Sequence, residues 1–282
     1  MNDDRPTPPP TRRLLRLAAV AACSTVLVAC SPAAPAGPAS APGATPPGPV
    51  SPASASLAFA ACSTPPDRFV NQAPGDGRTV ALTFDDGPAP ADAEILNVLA
   101  DQGVKATFFV TGEHAAADPD TVRRMAAEGH LVAGHSWEHR YPKEVAGGWT
   151  VSYLTDQLER TDALLTELTG RRACFFRPPG GNKDNVLAAA GAAGLTSVLW
   201  NVDSLDWKQP SRTTTAATAE IVAAATGTTS DHPVVLLHSG KASHEPDTKY
   251  SPHRGNTVAA LPEIIGWYRA HGYSFVRLDG VS

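Results

Sequence analysis

From Phe69 onward, short apolar runs alternate with longer stretches in which apolar residues recur every three or four positions. The short runs, at 79–84, 106–110, 131–133, 173–176, 197–202, 234–237 and 273–278, are expected as strands. The longer stretches, at 91–102, 120–128, 152–169, 185–193, 215–225 and 257–271, are expected as helices. Gln102-Gly103, Glu128-Gly129 and Thr169-Gly170 put a glycine just past a helical stretch, where a left-handed cap is expected. Strands alternating with helices in this way predict an α/β fold, a parallel sheet or barrel joined by helical crossovers.

Polar residues fall at matching places in this pattern. Asp85 and Asp86 follow the first strand run, His135 the third, Arg177 the fourth, Asp203 the fifth and His238 the sixth. In parallel α/β folds functional groups collect just past the carboxyl ends of the strands, so five strands are expected to aim polar groups at one rim.

The chain before Phe69 obeys neither rhythm. Residues 1–66 hold 14 of the 26 prolines, and 31–66 contain no Asp, Glu, Lys or Arg. Arg12, Arg13 and Arg16 precede an apolar run over 17–29, the charged and apolar regions of a secretory signal, too short for a membrane span. The run ends Leu27-Val28-Ala29-Cys30, which resembles a bacterial lipobox with Cys30 as the lipidated residue; Val20-Ala21-Ala22-Cys23 is a weaker match that leaves few apolar residues after Arg16. Thr11-Arg12-Arg13 also resembles a twin-arginine signal loosely, and the export route stays open. The expected organisation is a signal sequence at 1–30, a disordered Ala/Pro/Ser-rich tether at 31–66 and a folded domain at 67–282. An exported, lipid-anchored, monomeric protein at the cell envelope follows as the expectation.

Charge narrows the partner. The whole chain carries 23 Lys and Arg against 28 Asp and Glu, a formal charge of −5. Residues 67–282 alone hold 19 against 26, a charge of −7, which excludes a basic nucleic-acid footprint. Cys62 and Cys174 remain after processing of the signal, and in an oxidising compartment they are candidates for one disulfide; a free Cys62 beside a buried Cys174 is the other reading.

His135 and His139 in His-Ser-Trp-Glu-His are spaced so that one helical turn can present both imidazoles to one ion. With a carboxylate from Asp85 or Asp86 they make a set suited to zinc or another divalent transition metal such as cobalt or nickel. Two adjacent aspartates exceed what one metal contact requires, so one can ligate while its neighbour acts as a base.

The rim residues sit in longer motifs. Thr83-Phe84-Asp85-Asp86-Gly87-Pro88, His135-Ser136-Trp137-Glu138-His139, Arg177-Pro178-Pro179-Gly180-Gly181, Asp203-Ser204-Leu205-Asp206-Trp207 and Leu236-Leu237-His238 follow one another in order. They resemble the five motifs of the polysaccharide deacetylases, the NodB-homology enzymes of carbohydrate esterase family four, over about 79–278.

The resemblance implies a distorted (β/α) barrel of about seven strands, TIM-barrel-like, that removes N-acetyl groups from a β-linked polysaccharide. By the family pattern Asp86, His135 and His139 would bind the metal and Asp85 would be the general base, oriented by Arg177. His238 would be the general acid, paired with Asp206, while Trp207 and Leu236 would shape the pocket around the acetyl group and a backbone N–H near Gly180 would stabilise the oxyanion. Two positions depart from the pattern. Gly180 stands where many relatives carry an aromatic residue, which implies wider subsites, and Ser239 stands where Asp is common. His244 and His253, in the loop 240–256, are read as exposed. Peptidoglycan N-acetylglucosamine is the expected substrate, because the tether would hold the domain beside that polymer. Chitooligosaccharide, exopolysaccharide and acetylxylan are the alternatives, and a glycan-binding lipoprotein without turnover is the reading of another class.

Overall fold

The computed structural model describes residues 62–64, 67–247 and 252–282. The expected signal sequence at 1–30 with Cys30, and the expected tether at 31–66 apart from 62–64, lie outside those residues.

Strand β1 (Thr79–Gly87) occupies the middle of the sheet and is buried over its whole length. Parallel neighbours flank it, β2 (Thr107–Val110) on one side and β7 (Val234–His238) on the other. Beyond β2 come β3 (Leu131–Gly134), β4 (Phe175–Phe176) and β5 (Thr196–Ser197), and beyond β7 comes β6 (Val202–Asp203). The seven strands form a parallel half-barrel, the distorted (β/α) barrel expected, and β8 (Ser274–Phe275) pairs with the start of β1. Around it lie α1 (Asp92–Asp101), α2 (Gly112–Ala117), α3 (Pro119–Ala127), α4 (Val151–Thr169), α5 (Val186–Ala193), α6 (Thr215–Thr226) and α7 (Gly255–Ala270). Among the described residues no helix is long and apolar enough to cross a membrane.

A strand covered on both faces can carry apolar residues at successive positions, which is why β1 reads as a continuous run. Val80, Leu82 and Phe84 pack outward with Ile95 and Leu96 of α1 and Ile264 of α7. Ala81 joins Phe109, Ala133, Val198 and Val234 in a second cluster. Side chains alternate along a strand, so Thr83 and Asp85 share the face of Ala81. Asp86 escapes the alternation: its φ is 69°, and the β1–β2 register shifts between Asp85 and Gly87. This local irregularity re-aims the second aspartate.

Helix ends follow the polar residues beside them. Thr150 accepts a hydrogen bond from Tyr153 N–H at 3.1 Å to begin α4, and Thr214 accepts from Ala217 N–H at 3.1 Å to begin α6. Gly103, Gly129 and Gly170 take left-handed φ values of 60°, 84° and 70°, as expected of glycines that end helices. Helix α2 was not legible as a helical stretch, because its six residues are too few to show a period.

The run 197–202 differs from the single strand expected. Its start pairs beside β4 as β5 and its end pairs beside β7 as β6, at opposite ends of the sheet. Between them Leu199 N–H donates to Val70 O at 2.8 Å and Asn201 N–H to Val234 O at 3.3 Å. The segment steps across the seam of the half-barrel, so its apolar residues serve two edges instead of one ladder. Near this seam a disulfide joins Cys62 to Cys174, with Cα atoms 5.2 Å apart.

Candidate active site

Asp85 and Asp86 are adjacent in sequence and meet different surroundings. Arg177 Nη1 donates to Asp85 Oδ1 and to Thr83 Oγ1, each at 2.8 Å, and the Thr83 hydroxyl donates to Val235 O at 2.6 Å. The guanidinium is fully buried, with its carbon 4.2 Å from the centre of the Phe109 ring. Burial lowers the Arg177 pKa and the Asp85 carboxylate opposes that shift.

Asp86 faces two imidazoles. Its Oδ1 lies 3.5 Å from His135 Nε2 and 3.4 Å from His139 Nε2, and this buried oxygen has no hydrogen-bond partner. His135 Nδ1 is 2.7 Å from Arg177 O; a carbonyl only accepts, so Nδ1 carries a proton and donates it, which leaves Nε2 to face Asp86 with its lone pair. Desolvation raises the Asp86 pKa and pushes that of His139 well below its usual value. Two imidazole nitrogens and one orphaned carboxylate oxygen, all buried, fit a divalent cation, which would supply the missing partner. These three side chains are the expected metal set, and Asp85 Oδ2 stands 3.7 Å from His135 Nε2 at its edge.

The histidine motif is not a helical turn. Residues 136–139 form an irregular bend in which Ser136 and His139 both take left-handed φ, 64° and 55°. Ser136 Oγ accepts the His139 N–H at 3.1 Å, and Gln157 Oε1 of α4 accepts the N–H groups of Trp137 and Glu138 at 3.2 Å. A bend after β3 thus replaces the i, i+4 helix face that the spacing predicts.

The second pair lies at the end of β7. His238 Nδ1 is 2.7 Å from Asp206 Oδ1, while Oδ2 accepts the His238 N–H at 2.8 Å and the Thr257 hydroxyl at 2.9 Å. Burial alone would lower the His238 pKa; the Asp206 carboxylate outweighs it and pushes the imidazole up to about 9. Desolvation acts to raise Asp206, yet His238 and its hydrogen bonds hold the carboxyl below its usual value.

Both groups open into one cleft of about 260 Å³, whose walls include Gly180, Trp200, Asp203, Trp207 and Leu236. The extra room expected from Gly180 is not there. A Cβ at Gly180 would lie 2.7 Å from Tyr141 Cε1, so the Tyr141 ring occupies that space and glycine is needed beside it. His253 is exposed as expected, but His244 is half-buried, its ring centre 5.8 Å from that of His139. Tyr141, Glu245 and Trp200 were not singled out by the sequence; the length of the loop after His238 was the one available signal.

A parallel half-barrel with two acid–base pairs and a three-donor group at one rim defines a hydrolytic α/β-barrel enzyme. Residues 72–198 match the family model for polysaccharide deacetylase. A chitooligosaccharide deacetylase of Rhizobium leguminosarum bv. trifolii is 35% identical over 210 residues, covering 74% of this chain and 94% of that protein. A peptidoglycan-N-acetylglucosamine deacetylase of Bacillus cereus is 33% identical over 218 residues, covering 75% of this chain and 72% of that one. The crystal structure of the Bc1960 peptidoglycan N-acetylglucosamine deacetylase superposes with a TM-score of 0.63 at 33% identity, over 74% of this chain and 89% of that chain. The chain belongs to the polysaccharide deacetylase family and is a deacetylase of carbohydrate esterase family four.

Proposed function

We propose that this protein hydrolyses N-acetyl groups of a cell-envelope N-acetylglucosamine polymer, peptidoglycan in the first instance, giving acetate and a glucosamine residue. The observation that carries the reading is the contrast between the two aspartates, one paired with Arg177 and the other orphaned between two imidazoles. Relatives named for peptidoglycan and for chitooligosaccharide are about equally similar, so the choice of polymer rests on the signal-and-tether reading of 1–66. By that reading Cys30 carries the lipid and 67–282 act outside the membrane as a monomer.

Asp86, His135 and His139 would hold a divalent cation, and two imidazoles with one carboxylate favour zinc. Bound there, such a cation would lower the pKa of water and polarise an amide carbonyl. Asp85, oriented by Arg177, takes the proton of the attacking water. A backbone N–H near Gly180 donates to the oxyanion, and Trp207 and Leu236 wall the acetyl group. An amine leaves poorly unless protonated. His238, kept charged by Asp206, sits in the same cleft and delivers that proton.

Acetate release from peptidoglycan, chitooligosaccharide and acetylated xylan, with chelator and after adding zinc or cobalt, tests the reading. Release from peptidoglycan that stops with chelator and returns with metal is the expected result. Preferential release from chitooligosaccharide or xylan would overturn the choice of polymer, and none from any of the three, with metal bound, would favour a glycan-binding role.

A further inference from the structure

Among the described residues a second set of donors stands beside the first. One donor atom from each of His139, His244 and Glu245 lies within 4.8 Å of the others, the same limit that gathers Asp86, His135 and His139. The two sets share His139.

His139 differs from His135 in what its remaining nitrogen does. A metal-binding histidine ordinarily donates its other ring N–H to a carbonyl, a carboxylate or water. His135 does so through Nδ1 to Arg177 O, whereas His139 Nδ1 is buried and has no hydrogen-bond partner. His244 shows the same deficit, since both of its ring nitrogens are buried without a hydrogen bond. Its Nε2 does lie 3.0 Å from Glu144 Oε2, close enough for a carboxylate to support a ligating imidazole.

Glu245 completes the set. It is buried at the cleft wall, accepts the Tyr141 hydroxyl through Oε1 at 2.6 Å, and has no cationic side chain in ion-pair range among the described residues. The loop that carries the pair is held in place. Ser243 Oγ is 2.9 Å from His114 Nε2, the same ring reaches Asp86 O through Nδ1 at 2.8 Å, and Lys241 Nζ donates to Glu245 O at 2.6 Å.

We propose that His244 and Glu245, with His139 bridging as an imidazolate whose remaining ring proton is released to solvent when the second ion binds, form a further binding position for a divalent transition-metal ion beside the catalytic one. Two imidazoles and a carboxylate select zinc or a similar ion over calcium or magnesium. Donors around one zinc stand up to about 4 Å apart, so side-chain shifts of under about 1 Å close the set. This position goes beyond the hydrolytic reading, and its test counts ions.

The full-length protein is stripped with chelator and titrated calorimetrically with zinc, with bound metal counted by elemental analysis. His244→Ala and the near-isosteric Glu245→Gln are each expected to bind one equivalent fewer than wild type, with apo melting temperatures unchanged. Equal stoichiometry in wild type and both variants overturns the proposal. Asp86→Ala, which disables the first set, is titrated alongside; stoichiometry equal to wild type there counts against the catalytic-metal assignment and leaves the second position standing.

Discussion

His238 and Asp206 are joined twice: the carboxylate reaches the imidazole Nδ1 at 2.7 Å through one oxygen and the backbone N–H of the same residue at 2.8 Å through the other. The double contact fixes the ring's position as well as its charge. Its pKa of about 9 means that the acid form persists through neutral pH and disappears as pH rises through that value.

The rate is therefore expected to fall on the alkaline side near pH 9. Asp206→Asn removes the largest of the charges that raise His238 and leaves the burial that lowers it, so the limb should move to lower pH. A loss of about 100-fold in kcat/KM at pH 7.5 is expected, in the range of general acid catalysis. A kcat/KM profile over pH 5–10 checks it; an unmoved limb would remove His238 from the acid role.

The two aspartates should separate by mutation. Asp85→Asn is expected to keep its bound zinc and lose roughly 10²–10⁴-fold in rate, as removal of a general base does. His139→Ala is expected to lose both metal and activity. Metal content and acetate release measured on the same preparations decide the point, and equal metal loss in the two variants would contradict the division of roles.

Asp92, whose carboxyl lies beside Ser239 and Gly87, gives a stability prediction. It is fully buried at the start of α1, accepts the Ala89 N–H at 2.7 Å, and desolvation raises its pKa to about 7. Between the unfolded value of 3.8 and about 7 the folded state holds the extra proton. That contribution is complete below 3.8 and lost as pH rises through about 7. Wild type should thus lose about 1 kcal/mol more than Asp92→Asn between pH 6.5 and 8, a difference of roughly 2–4 °C in melting temperature. The difference between the two melting curves cancels the contributions of His130 and His238, which also titrate with shifted values. Parallel curves would show that Asp92 is already ionised in the folded protein.

Much of this was legible in the chain. Strands and helices declare themselves through period: β2, β3 and β7 fall within a residue of their expected runs, and β1 begins where expected but continues through Asp85 and Asp86 to Gly87. Rim residues were legible because the carboxyl ends of parallel strands share one side of a barrel. The run 197–202 misled because apolarity reports burial and says nothing of which ladder a residue joins. His244 misled because a histidine in a polar loop carries no sign of the imidazole it will face.

By itself, then, the sequence determined the α/β alternation, the rim and the chemical types gathered there, since these depend on period and local order. Only the tertiary structure decided which aspartate is paired and which is orphaned. That distinction arises where β1 loses register at Asp86 and Arg177 arrives from β4, 92 positions from Asp85. The occupation of the space at Gly180 by Tyr141, and the approach of His244 and Glu245 to His139, were likewise settled there. Contacts between segments distant in the chain depend on the closed shape of the half-barrel, and no local pattern of residues encodes them.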